Sequence, residues 1–203
     1  MIKNIIFDIG NVLADFCWRK FLSEKGFSDE MVERIGRASV LSDAWVEFDR
    51  GVYSDEEVID FFVKNDPEIA SEIHKGFDNV SGMVILKPET MEWINDLHSR
   101  GYKLYYLSNY SQKALDQCKD ATSFIPYLDG GILSYTVKMT KPDPEIYLLL
   151  LSKYGLKAEE TVFIDDTKKN IDAAVKLGIH GIQYKEKDQA HEELKKLLKN
   201  TER

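Results

Sequence analysis

The chain has 203 residues, 43% hydrophobic and 31% charged, with a formal net charge of -8. That profile fits one globular domain carrying an insertion, or two modest domains, and the acidic balance argues against nucleic acid or an anionic membrane as partner. No apolar run approaches the roughly 20 residues of a membrane span, no basic leader precedes the first strand, and the two cysteines, Cys17 and Cys118, match neither a metal spacing nor a disulfide framework, so the cytoplasm is the expected setting.

The first predicted element is a short apolar strand, Ile5-Ile6-Phe7, that ends at Asp8 and is followed by Ile9-Gly10-Asn11-Val12-Leu13. Its composition suits a strand buried on both faces of a parallel sheet. Asp8 alone suits either a cap of the next turn or a functional group at the carboxyl end of a strand, where ligands of open α/β sheets bind. A helical pattern then takes over, with Phe16, Phe21 and Leu22 on one stripe. Ser28-Asp29-Glu30 reads as a helix start, continued by Val32 and Ile35. Ser42-Asp43 offers another start, for a helix carrying Trp45 and Phe48 and broken at Gly51. Ser54-Asp55-Glu56-Glu57 is a capping-box pattern ahead of Val58, Ile59 and Phe62. Residues 15–80 are therefore predicted to be helical throughout.

A β/α rhythm follows. A helix opens at Pro88, with Met91, Ile94 and Leu97 inward, and closes at Gly101. Lys103–Leu107 is a strand ending at Ser108-Asn109, and a helix begins near Ser111. Gly130-Gly131-Ile132-Leu133 marks a turn and short strand, and Asp143–Tyr154 a helix. Thr161–Ile164 is a strand ending at Asp165-Asp166, Lys168–Leu177 a helix, Ile179–Ile182 a last strand, and Glu192–Lys199 a closing helix. Strands alternating with helices predict an α/β fold, a parallel sheet with right-handed crossovers. The helical block then stands at the sheet's carboxyl edge, where it can act as a lid.

Three strands thus end in Asp8, Ser108-Asn109 and Asp165-Asp166, and Lys141-Pro142 precedes a further helix. On one sheet edge these groups bring three carboxylates together with a hydroxyl and an ammonium. Like charges at such spacing require compensation. Mg²⁺ held by carboxylates, with a phosphate held by the lysine and hydroxyl, supplies it. Each residue taken singly also has a local role open to it: a helix cap for Ser108-Asn109, a solvated lysine for Lys141, an Asx turn for Asp165-Asp166. His74, His98, His180 and His191 make no metal pattern.

The four motifs, in this order and at strand ends, resemble those of the haloacid dehalogenase superfamily over essentially the whole chain. The resemblance implies a Rossmann-like catalytic core of residues 1–14 and 81–203 and an α-helical cap of residues 15–80 placed after the first motif. Phe7-Asp8-Ile9-Gly10-Asn11-Val12 and Arg50-Gly51-Val52-Tyr53-Ser54 resemble the glucose-1-phosphate phosphatase branch. By that resemblance Asp8 is the nucleophile that forms an aspartyl-phosphate, and Asp8, the Gly10 carbonyl, Asp165 and Asp166 hold Mg²⁺, with the direct ligand of the Asp165-Asp166 pair left open. Ser108, the Asn109 backbone and Lys141 bind phosphate, and Lys141 also orients Asp8. The implied activity is a phosphatase acting on a small phosphorylated metabolite such as a sugar 1-phosphate.

One position departs from the pattern. The family's usual acid–base Asp, two residues after the nucleophile, is here Gly10, a loss expected to cost about 10²–10⁴ in rate. Asn11 has no proton to give, Asp15 can substitute only if the loop folds back, and a sugar hydroxyl or water is the other candidate carrier. Two rival readings follow: a 2-haloacid dehalogenase that uses Asp8 against carbon, and a binding or regulatory protein without turnover. Trp18, Arg19, Trp45 and Arg50 are the cap residues nominated for the substrate pocket, and the competing role for the aromatics is packing the core of the helical segment itself.

Overall fold

The computed structural model describes residues 1–201, with side chains through Leu198. The chain opens with strand β1 (Asn4–Phe7) and strand β2 (Ala14–Phe16), then runs through helices α1 (Trp18–Glu24), α2 (Asp29–Ala38), α3 (Trp45–Arg50), α4 (Asp55–Asn65) and α5 (Ala70–Phe77). Strand β3 (Val84–Leu86) ends that helical stretch. After it come α6 (Thr90–Ser99), β4 (Lys103–Ser108), α7 (Gln112–Gln117), β5 (Gly130–Leu133), α8 (Ser134–Val137), α9 (Pro144–Tyr154), β6 (Thr161–Asp165), α10 (Lys168–Lys176), β7 (His180–Gln183) and α11 (Lys187–Thr201).

The main sheet is parallel throughout, in the order β5-β4-β1-β6-β7. Its central strand shows why the chain folds so. Ile5 and Phe7 join one apolar cluster, and Ile6 points to the other face and joins a second. Val162 and Ile164 of β6 likewise face one way and Phe163 the other. Period-two alternation with both faces apolar requires cover on both sides, which the helices provide. Because β1 lies between β4 and β6, the ends of those three strands converge at one edge, bringing together Asp8, Ser108 and Asp165.

The helical segment stands where the sequence predicts it. Ser28 caps α2 by accepting from the Met31 N–H, and Ser54 and Glu57 form the predicted capping box on α4. Gly51 ends α3 in the left-handed region, φ 66°. Beyond shifts of a few residues at element ends, such as α6 opening at Thr90 rather than Pro88 and α3 at Trp45 rather than Ser42-Asp43, two predicted features differ. Phe16 is on β2 rather than a helix, and β2 pairs antiparallel with β3 (Ala14↔Leu86, Phe16↔Val84). A three-residue strand has no periodicity to read, and its partner lies beyond five helices. The helical segment is therefore entered and left through a two-stranded ribbon. The closing helix also begins earlier than predicted, at Lys187, where Ala190 is buried and His191 lies 4.5 Å from Trp93 between ring centroids. Cys17 and Cys118 are both free, and among the described residues no helix is long and apolar enough to cross a membrane.

Candidate active site

Asp8 leaves β1 with its N–H donating to the Ile164 carbonyl at 2.8 Å, which fixes its backbone to the neighbouring strand. One carboxylate oxygen is crowded with donors. Oδ1 accepts from the Ile9 N–H at 2.7 Å and the Ser108 hydroxyl at 2.6 Å, and lies 2.8 Å from Lys141 Nζ. Among the described residues nothing donates to Oδ2, so one oxygen is held while the other stays available. Burial pushes this carboxyl above the ordinary range; Lys141 opposes that shift and Asp165 adds to it.

Lys141 is 3% exposed and bridges Asp8 and Asp165, at 2.6 Å from Asp165 Oδ2. Burial disfavours its ammonium, but the Asp165 and Asp8 charges outweigh that and raise its pKa. Asp165 is fully buried and fully occupied. Besides Lys141 it accepts from the Thr167 N–H at 2.7 Å and from Asn170 Nδ2 at 3.1 and 3.0 Å. Asp166 is half-buried and turned toward the pocket. Asn11 Nδ2 donates to its Oδ2 at 2.9 Å, and the Thr167 hydroxyl to its Oδ1 at 3.1 Å. Oxygens of Asp8, Asp165 and Asp166 lie within 4.8 Å of one another. Clustered hard oxygens carrying excess negative charge are a donor set suited to Mg²⁺.

The remaining predicted residues divide. Ser108 reaches the site, but its hydroxyl is engaged with Asp8. The Asn109 side chain turns to the loop before α9, accepting from the Lys141 N–H at 2.7 Å and donating to the Lys141 carbonyl at 3.0 Å, so it positions the lysine. Gly10 and Asn109 line the pocket with Asp8 and Asp166. The loop after β1 does fold back, with Asn11 at φ 58° and its Oδ1 accepting from the Phe16 N–H. That fold nevertheless takes Asp15 away, to an ion pair with Lys87 outside the pocket. Of the four nominated cap residues, Trp45 lines the pocket; Trp18 is buried in the apolar core, Arg19 pairs with Glu33 and Arg50 with Glu47, and none of these three is in its wall.

The pocket over Asp8 has a volume of about 170 Å³. Its far wall is apolar: Phe16, Trp45, Met83, Val84, Tyr110 and Ala114. Asp49, on α3, also lines it and was not singled out from the sequence. Withdrawal from water and then the nearby Asp8 charge push its carboxyl up to about 7, against the pull of Lys141. A sequence signal was present, since Asp49 follows Trp45 by four residues and so shares its helical face. The positioning amides Asn11 and Asn170 carried no such signal, because their partners are distant in sequence.

Comparison with known proteins agrees with this geometry. The sequence profile of the haloacid dehalogenase-like hydrolases matches residues 2–178. A D-ribitol-5-phosphate phosphatase of Bacteroides thetaiotaomicron is 25% identical over 207 residues, covering 90% of this chain and 92% of its own. A sesquiterpene phosphatase of Aspergillus oryzae is 26% identical over 181 residues, covering 89% and 88%. A solved enzyme of the same superfamily from B. thetaiotaomicron, in complex with magnesium and inorganic phosphate, superposes with a TM-score of 0.66 at 23% identity, covering 91% of this chain and 95% of that one. With a profile matched over residues 2–178 and the four motifs gathered at one sheet edge, the chain belongs to the haloacid dehalogenase-like hydrolases.

Proposed function

We propose that this hydrolase is a Mg²⁺-dependent phosphatase of small phosphate monoesters, working through an aspartyl-phosphate on Asp8. The observation that carries the reading is the divided Asp8 carboxylate, with Oδ1 anchored by three donors and Oδ2 uncommitted at the pocket floor beside two further carboxylates. The fixed oxygen sets the direction of attack, and in-line positioning is most of what phosphoryl transfer needs. Asp8, Asp166 and the Gly10 carbonyl would hold the metal directly, and Asp165, whose oxygens are occupied, would hold it through water. Bound there, Mg²⁺ neutralises the charge of the transferring phosphoryl group. Lys141 and the Ser108 hydroxyl would share phosphate oxygens while Lys141 keeps Asp8 in place. Residues 15–80 would form a cap over a core of residues 1–14 and 81–203, excluding water from the reaction.

The pocket supports a narrower substrate class. Its volume of about 170 Å³ is below the roughly 300–1,000 Å³ of drug-sized sites. Trp45 and Phe16 offer rings to a leaving group with an apolar face. The C–H face of a sugar 1-phosphate meets that requirement, and so does a short aryl or isoprenoid alcohol.

Phosphate release from a panel of monoesters, measured with Mg²⁺ and with chelator, tests the reading. Chelator should lower turnover by about 10² or more, and Asp8→Asn should abolish it with the fold retained. Halide release from 2-haloacids in chelator, without phosphatase activity, would establish the dehalogenase instead, and absence of both activities would favour a binding role.

A further inference from the structure

We infer that Asp49 is the acid–base residue of this enzyme, reaching the reaction from helix α3 of the inserted segment in place of a side chain at position 10. The inference rests on the phosphatase reading above.

Gly10 lines the pocket and brings no proton. Nothing lies within 4 Å of where its Cβ would be, so packing does not require a glycine there. Three carboxylates line the same pocket: Asp8, Asp166 and Asp49. Asp8 and Asp166 belong to the cluster suited to a metal, and Asp49 does not. Among the described residues the Asp49 carboxylate has no hydrogen bond and no ion pair, whereas Asp15 is committed to Lys87.

Its backbone, by contrast, is held firmly. The Ser134 hydroxyl, on α8, donates to the Asp49 carbonyl at 2.5 Å and itself accepts from the Tyr110 N–H at 2.9 Å, so α3 is tied to the loop after β4. Lys138 donates to the Gly51 carbonyl at the helix end. A Cβ at Gly51 would sit 2.9 Å from Tyr135 Cβ, which shows how closely α3 is seated on α8.

The groups that set the Asp49 charge are few. Asp8 and Lys141 act on it from the sheet edge, and the Tyr110 phenol feels its charge in turn. On its own helix Glu47 and Arg50 pair with each other at 3.4 Å. A carboxyl that titrates at about 7 can give a proton and take one back near neutral pH.

In the first half-reaction Asp8 Oδ2 bonds to phosphorus as the phosphorus–oxygen bond to the leaving group breaks. The leaving oxygen takes the Asp49 proton and departs as an alcohol. In the second, water bonds to phosphorus and gives a proton to the Asp49 carboxylate, and the Asp8 carboxylate leaves as the mixed anhydride breaks. Phosphate is released with both aspartates in their starting states.

The test is the dependence of kcat/KM on leaving-group pKa with saturating Mg²⁺. The natural enzyme should show almost none. Asp49→Asn should lose about 10²–10⁴ on alkyl phosphates and less than about tenfold on p-nitrophenyl phosphate, whose leaving group needs no proton. With that substrate it should also show a burst of nitrophenol, because no base then activates water. Gly10→Asp in the Asp49→Asn background should restore alkyl turnover. If the asparagine variant does not fold, Asp49→Ala with added formate gives the same reading through chemical rescue. A natural enzyme already steeply dependent on leaving-group pKa, or an Asp49 variant with the natural profile, overturns the inference while leaving the phosphatase intact. Absence of phosphate release by the natural enzyme from any monoester overturns the phosphatase reading and this one with it.

Discussion

Asp8 and Asp49 are both aspartates withdrawn from water, and their surroundings give them different work. Asp8 is held by two neutral donors and an ammonium, and among the described residues no hydrogen bond or ion pair reaches the Asp49 carboxylate. The contrast has a thermodynamic consequence. In the unfolded chain Asp49 ionises near 3.8, and in the folded protein near 7. Between those values the unfolded state binds fewer protons, so the Asp49 contribution to stability falls as pH rises through the window. Asp49→Asn removes that titration. The variant should match the natural protein near pH 3.5 and exceed it at pH 8, by on the order of 1–3 kcal/mol, in paired denaturant titrations. Equal stability at both pH values would mean that Asp49 ionises freely in the fold. Lys141 poses the opposite case. Its removal leaves two buried carboxylates without their counter-charge, and Lys141→Met should cost about 3–5 kcal/mol in the same measurement.

Helix α3 has six residues, too short to be stable by itself. Its stability comes from Trp45 and Phe48 packing into the helical segment and from Ser134 and Lys138 seizing its carboxyl end. Trp45 has two roles at once. Its ring lies 5.2 Å from Phe48, 5.9 Å from Phe62 and 6.0 Å from Phe77, and it also walls the pocket. The consequence is separable by substitution. Trp45→Ala should cost about 3–5 kcal/mol through the cavity it leaves. Trp45→Phe keeps much of the packing, should cost less than about 1.5 kcal/mol, and should re-rank the substrates in a monoester panel. An unchanged ranking would assign selectivity to other residues of the wall. The β2–β3 ribbon deserves equal weight at this scale, since both chain connections to the helical segment pass through it side by side.

Across the molecule, charge at the sheet edge is unbalanced: Asp8, Asp165 and Asp166 face one lysine. A cation that binds the folded state and not the unfolded one raises stability by mass action, by about 2.7 kcal/mol at a concentration 100 times its Kd. For a chain of this size that is a Tm rise of roughly 5–10 °C. Mg²⁺ should produce it in the natural protein and much less of it in Asp166→Asn, measured by thermal unfolding without any substrate. An equal rise in both would place the ion elsewhere.

Much of this protein was legible in its sequence. Short apolar runs ending in Asp8, Ser108 and Asp165 specify buried parallel strands, because only a sheet covered on both faces makes continuous Ile, Val and Phe favourable. Ser54 with Glu57, and Gly51 at the end of α3, mark helix boundaries through local hydrogen bonding and backbone geometry. These are contacts within a few residues, and local sequence encodes them. Other features depend on residues far apart in the chain. The partner of Phe16 is Val84, that of Asn11 is Asp166, and that of Asp15 is Lys87. Asp49 looked like one more polar residue on a helix until α3 was seated on α8 over the nucleophile. Local physics determined which elements form and where the acidic strand ends lie; only the packed chain decided which carboxylates share a counter-charge and which is left facing the pocket alone, because burial and electrostatic environment are properties of neighbours in space.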